Sequence, residues 1–126
     1  MSNFKRGTKF PNEGFVQSAI EKFFEAQGFT RLEVKHVDLV CVNTSNEKWV
    51  IEAKGDSSSV GVDFNTGLGQ ILKRMDEPNC KYAMAVPNIP KYINQLNKVP
   101  MRVRKLLGLN WIIVSEDGTV SIDPSI

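Results

Sequence analysis

Two neighbouring stretches, "VDLVCVN" (37–43) and "KWVIEAKG" (48–55), are apolar on both of their faces, and this limits the fold more than any other feature. Successive residues of a strand point to opposite sides of its sheet. The intervening "NTSNE" carries turn chemistry, and a hairpin centred on Ser45 sets Leu39 opposite Ile51, Val40 opposite Val50 and Cys41 opposite Trp49. A sheet apolar on both sides has to be covered on both sides, and helices are the usual cover. The chain is therefore expected to be α/β, with a central sheet between helical layers.

The rest of the sequence supplies those layers. "NEGFVQSAIEKFFEAQGF" (12–29) reads as a helix, with Asn12 at its N-cap and Gly28 ending it. Val16, Ile20, Phe23 and Phe24 form its apolar stripe, and Gln17, Glu21 and Glu25 are expected on a solvent face. "TRLEVK" (30–35) reads as a first strand, "DFNTGLGQILKRM" (63–75) as a second helix and "KYAMAVP" (81–87) as a further strand. "IPKYINQLNKVPMRVRKLLG" (89–108) reads as a helical segment broken at Pro100. Its Tyr92, Ile93, Leu96, Val99, Val103, Leu106 and Leu107 recur at helical spacing and are expected in the core. "NWIIVS" and "TVSI" then form a hairpin around "EDG". The expected order is αβββαβαββ, in one domain spanning 1–126.

Composition excludes several classes. With 126 residues, 41% hydrophobic and 24% charged, the chain resembles an ordinary globular domain. "MSNFKRGTKF" lacks the apolar core of a signal peptide, and "WIIV" is far too short to cross a bilayer, so a cytoplasmic protein with no membrane partner is expected. Cys41 and Cys80 have no metal-like spacing and read as reduced thiols. "DSSSVGVDFNTGLG" lacks the phosphate-loop pattern. Between Asn79 and Ser115 lie six basic residues and no acidic one, against a net charge of +2 for the whole chain. Such a segment suits a polyanion, although a solvated helix face has the same composition. Phe4, Lys5 and Arg6 read either as a basic arm or as a frayed terminus.

The charges on the two constraining strands need a separate reason. Glu52 and Lys54 share one face of their strand, and the hairpin register sets Asp38 opposite Glu52 and His36 opposite Lys54. Opposed carboxylates repel, and in a partly buried sheet they require a proton, an ammonium group or a cation. Lys54 balances one of them, while a divalent metal ion balances both. His36, the one histidine, is placed to touch a phosphate, or is an incidental polar residue.

"VDLV" followed by "IEAKG", set in an αβββαβ order, resembles the split motif of the PD-(D/E)XK nuclease superfamily. The likeness covers roughly residues 12 to 87, and Val37 stands where that family usually has proline. The resemblance implies a restriction-endonuclease-like fold: a mixed central sheet flanked by helices, here with an added C-terminal helical segment and hairpin. It implies a metal-dependent nuclease acting on DNA, structure-selective or weakly sequence-selective, with Mg²⁺ as cofactor and Mn²⁺ as a substitute. Asp38 and Glu52 would be metal ligands together with the Ala53 carbonyl, and Lys54 the catalytic lysine that orients the attacking water. Glu13 looks like the first-helix acid of many members, with Glu21 or Glu25 as alternatives if that helix turns. Gln70 looks like the helix-borne glutamine of Holliday-junction-resolvase-like and Mrr-like branches, or is a surface residue. Lys73, Arg74, Arg102, Arg104 and Lys105 are candidate phosphate contacts. Many small members are dimers, so a homodimer or a partner subunit is a further implication. The competing expectation is a nucleic-acid-binding or assembly protein that retains the fold without catalysis.

Overall fold

The computed structural model describes residues 7–125, so the Phe4–Lys5–Arg6 arm lies outside the described residues. The elements are α1 (Glu13–Ala26), β1 (Thr30–Leu32), β2 (Leu39–Val42), β3 (Lys48–Ala53), α2 (Val60–Leu72), β4 (Cys80–Pro87), α3 (Pro90–Asn97), α4 (Met101–Leu107), β5 (Leu109–Val114) and β6 (Val120–Asp123). The strands form one six-stranded sheet in sequence order, β1 to β6. Its centre, β3–β4–β5, is parallel, and both flanks are antiparallel. The fold is thus mixed α/β with helices on both faces, as the doubly apolar strands require.

The β2–β3 register is the one expected from the turn, with Leu39 against Ile51, Val40 against Val50 and Cys41 against Trp49. Alternation then divides the core into two layers. Leu39, Cys41, Trp49, Ile51 and Ala53 face Val16, Ile20 and Phe24 of α1. Val40, Val50, Met84 and Trp111 face Val60, Phe64 and Ile71 of α2 and Tyr92 and Leu96 of α3. Small residues at Ala53, Ala83 and Ala85 let α1 lie close over the parallel strands.

Several expectations shift. α2 starts at Val60, three residues earlier than the polar loop suggests, and β1 covers only the first half of "TRLEVK". The break at Pro100 gives two helices: Pro100, extended at φ −62° and ψ 140°, occupies the N-cap of α4. Gly108 ends α4 at φ +66°, in the left-handed region that glycine enters without strain. Leu106 and Leu107 are not core residues, being 75% and 37% exposed, because the face of α4 that packs on the sheet is the one carrying Arg104. His36 does not lie across from Lys54. The β2–β3 pairing stops at Leu39, and His36 sits in the preceding turn at φ +66°.

The end of β3 meets the start of α1 without room for a side chain. A Cβ on Gly55 would lie 2.0 Å from the Glu13 nitrogen and 2.5 Å from the Asn12 carbonyl carbon. Gly55→Ala is therefore expected to destabilise the protein by about 3 kcal/mol, since the clash is with backbone. Urea unfolding checks this, and a loss below about 1 kcal/mol would contradict the close approach.

Among the described residues, no helix is long and apolar enough to cross a membrane.

Candidate functional site

β3 ends at Ala53, and the carboxyl ends of parallel strands are where open α/β sheets most often bind ligands. Glu52 is the last but one residue of β3 and is only 2% exposed. Its main chain is fixed by parallel pairing with Met84, and the amide of Lys54 donates to the Ala85 carbonyl at 2.9 Å. The strand therefore holds both side chains on the α2 face.

Asp38 arrives from the other direction, one residue before β2. Its Oδ2 accepts a hydrogen bond from the Ala53 amide at 2.8 Å. The N–H and C=O of one extended residue point to the same side of a strand, so the Ala53 carbonyl faces the edge that carries Asp38. Glu52 is pushed up to about 8, first by burial, then by the charge of Asp38 and hydrogen bonding with it, while Lys54 and Arg74 pull the other way. Glu52 Oε2 is buried and has no hydrogen-bond partner. A buried carboxylate oxygen left bare beside a second carboxylate is a costly arrangement unless a cation or proton completes it.

Lys54 is half-buried and leaves β3 along α2. A Cβ on Gly67 would lie 3.1 Å from Lys54 Cε, so the glycine leaves the channel that the lysine stem occupies. Arg74, just beyond α2, donates to the His36 carbonyl at 3.1 Å and clamps the turn before Asp38. Gln70 is exposed on α2, one turn after Gly67. Glu13 opens α1 against Gly55, and its charge, with those of Asp63 and Asp56, falls on Tyr92. Tyr92 is fully buried and donates from its hydroxyl to the Gly55 carbonyl at 2.7 Å, which secures the loop after Lys54. Among the described residues no three His, Cys, Asp or Glu side chains converge on a metal-holding point. The pair itself fits a hard cation: two carboxylates, one bare buried oxygen and a nearby main-chain carbonyl.

The basic residues separate into two kinds. Lys73, Arg102 and Lys105 are exposed. Arg104 is not free for phosphate, being 3% exposed. Its guanidinium bonds the carbonyls of Leu109 and Asp123 and stacks 4.7 Å from the Trp111 ring. It ties α4 to β5 and β6, a role that helical spacing did not reveal. Arg104→Ala is expected to cost about 2–4 kcal/mol of stability through lost packing and unpaired carbonyls. Thermal unfolding measures this, and an unchanged melting temperature would contradict the tie.

Gln17 also departs from expectation. It is 8% exposed rather than on a solvent face, and its Nε2 donates to the Asp38 carbonyl and to Glu21 Oε2, each at 2.7 Å. The signal was available, because Gln17 precedes the core residue Phe24 by seven positions, which on a helix is a rotation of only about 20°.

No protein-family model matches the chain, and no curated protein matches it. Solved structures do. An XisH family protein from Nostoc punctiforme aligns with a TM-score of 0.59 at 18% identity, over 84% of this chain and 95% of that one. A fdxN element excision controlling factor protein from Anabaena variabilis aligns at 0.56 and 17% identity, with the same coverage. At such identities the likeness is one of fold.

Proposed function

We propose that the protein is a metal-dependent nuclease of the PD-(D/E)XK kind that hydrolyses DNA phosphodiester bonds. The observation that carries this reading is the acid pair at the end of β3: Glu52, 2% exposed, faces Asp38 with one oxygen bare, and Lys54 follows two residues later. A salt-bridge network would leave no bare oxygen, and a surface that only bound nucleic acid would be weakened by anions beside the phosphates.

Asp38, Glu52 and the Ala53 carbonyl would hold Mg²⁺. When bound, that ion supplies Lewis acidity toward the phosphate and makes water a nucleophile near neutral pH. The chain's own residues do the rest. The Ala53 amide holds Asp38 Oδ2 in place, so that carboxylate keeps one orientation as substrate enters. Lys54, steered along Gly67, brings an ammonium group to the mouth of the site, where the phosphate becomes most anionic. Lys73 at the end of α2 offers an exposed cation to the nucleic-acid backbone without reading sequence.

The test is cleavage of linear, nicked, branched and single-stranded DNA with Mg²⁺ or Mn²⁺, wild type beside Asp38→Asn. Cleavage by wild type alone is the expected result. The competing reading, a nucleic-acid-binding or assembly protein that keeps the fold without catalysis, is favoured by the description of a neighbour as an excision controlling factor. It predicts DNA binding that is unchanged by Mg²⁺ and by Asp38→Asn.

A further inference from the structure

We propose that Gln17 is a positioning residue that fixes Asp38 from the opposite side of the sheet; the inference rests on the nuclease reading for its functional meaning. Asp38 lies beyond the last β2–β3 pair, and the Gln17 side chain bonds its main chain there. Its Nε2 reaches the Asp38 carbonyl at 2.7 Å from α1, while the Ala53 amide holds the Asp38 carboxylate at 2.8 Å from β3. The acid is thus gripped at both ends by groups from two different elements.

The grip is itself braced. The same Nε2 donates to Glu21 Oε2, which Arg31 of the β1 edge holds at 2.8 Å. Both partners of Nε2 are acceptors, so turning the amide over would set an oxygen against two oxygens. The amide is therefore locked with its NH₂ toward Asp38, at the expense of leaving Oε1 buried and without a partner. A surface glutamine has no reason to accept that penalty. One serving only to pack would be replaced without loss by a residue of similar volume.

Two readouts on the full chain test this, and the first involves no metal. Amide hydrogen exchange is measured by NMR for wild type and Gln17→Met in the presence of a chelator. Loss of the grip should speed exchange at Ala53 by about 10-fold while Val50 and Ile51 stay unchanged, because only the Asp38-bound amide loses its partner. Unchanged Ala53 exchange in the folded variant, or uniform acceleration along β3, would overturn the proposal. Should Gln17→Met fail to fold, the wild-type Gln17 side-chain amide decides: slow exchange supports the lock, and free exchange refutes it. The second readout is Mn²⁺ affinity, expected to weaken about 10-fold in Gln17→Met, as for other outer-sphere partners of ligands. Gln17→Met that binds Mn²⁺ no more weakly than wild type does would also refute positioning. Wild type that fails to bind Mn²⁺ would instead count against the nuclease reading, and the Ala53 exchange would still decide whether Gln17 holds Asp38.

Discussion

Lys54→Ala will lower the turnover of the proposed DNA cleavage about 10²- to 10³-fold while leaving the protein folded and the proposed Mn²⁺ affinity within a few fold. The asymmetry follows from where each group sits. Asp38 and Glu52 form the acid pair, whereas Lys54 lies beyond the end of β3 with its stem against Gly67. Its ammonium group matters most where negative charge grows during reaction, so its loss appears in turnover rather than in ground-state binding. Stability should change little, because a half-buried lysine beside two carboxylates offsets their repulsion but anchors no core layer. Steady-state kinetics with Mn²⁺ titration measures both quantities. A variant that cleaves at the wild-type rate would remove Lys54 from the chemistry.

Glu52→Gln should abolish the proposed metal binding yet make the metal-free protein more stable at alkaline pH. Glu52 stands at about 8 against an ordinary value of 4.5, raised chiefly by burial and by Asp38. Between those values the folded protein keeps a proton that the unfolded chain has released. Unfolding then gives up a proton, so stability falls as pH rises. The contribution is complete below the ordinary value and is lost as pH climbs through about 8. Its size is on the order of a few kcal/mol, equivalent to roughly 5 °C or more in melting temperature for a domain of this length. With a chelator present, wild type should melt progressively lower from pH 5 to pH 9, and Glu52→Gln should lack that slope. Mg²⁺ should restore wild type at high pH, because the deprotonated pair is the form that binds it. It should do nothing for the variant. Thermal melts across pH, with chelator and with Mg²⁺, measure all of this, and parallel curves for the two proteins would contradict it.

What was legible in the sequence follows the strength of the local signals. The β2–β3 register was readable because both strands are apolar on both faces and "NTSNE" allows one turn, which fixed the pairing of Leu39 with Ile51. The acid pair followed directly, since Asp38 and Glu52 lie one step beyond that pairing. His36 failed because the register was carried past the point where the chain leaves the strand, and no propensity marks where the left-handed turn begins. Arg104 and Gln17 failed for a shared reason. Both are polar residues at helix positions, and amphipathicity assigns such positions to solvent unless something across the fold satisfies them. The carbonyls of Leu109 and Asp123 satisfy Arg104, and that of Asp38 satisfies Gln17. Those partners are 5 to 21 residues away in sequence, so no local pattern names them; for Gln17 the seven-residue step to Phe24 marks burial but not the partner. Leu106 erred in the opposite sense, because helical spacing does not say which face of α4 meets the sheet, and that face carries Arg104.

The most direct test of the central claim, that Asp38 and Glu52 form a cation site, is anomalous diffraction from crystals equilibrated with Mn²⁺ near neutral pH. One strong peak is expected between the two carboxylates, beside the Ala53 carbonyl, and it should disappear in Glu52→Gln. A clean map with the two carboxyls sharing a proton and no metal would contradict it.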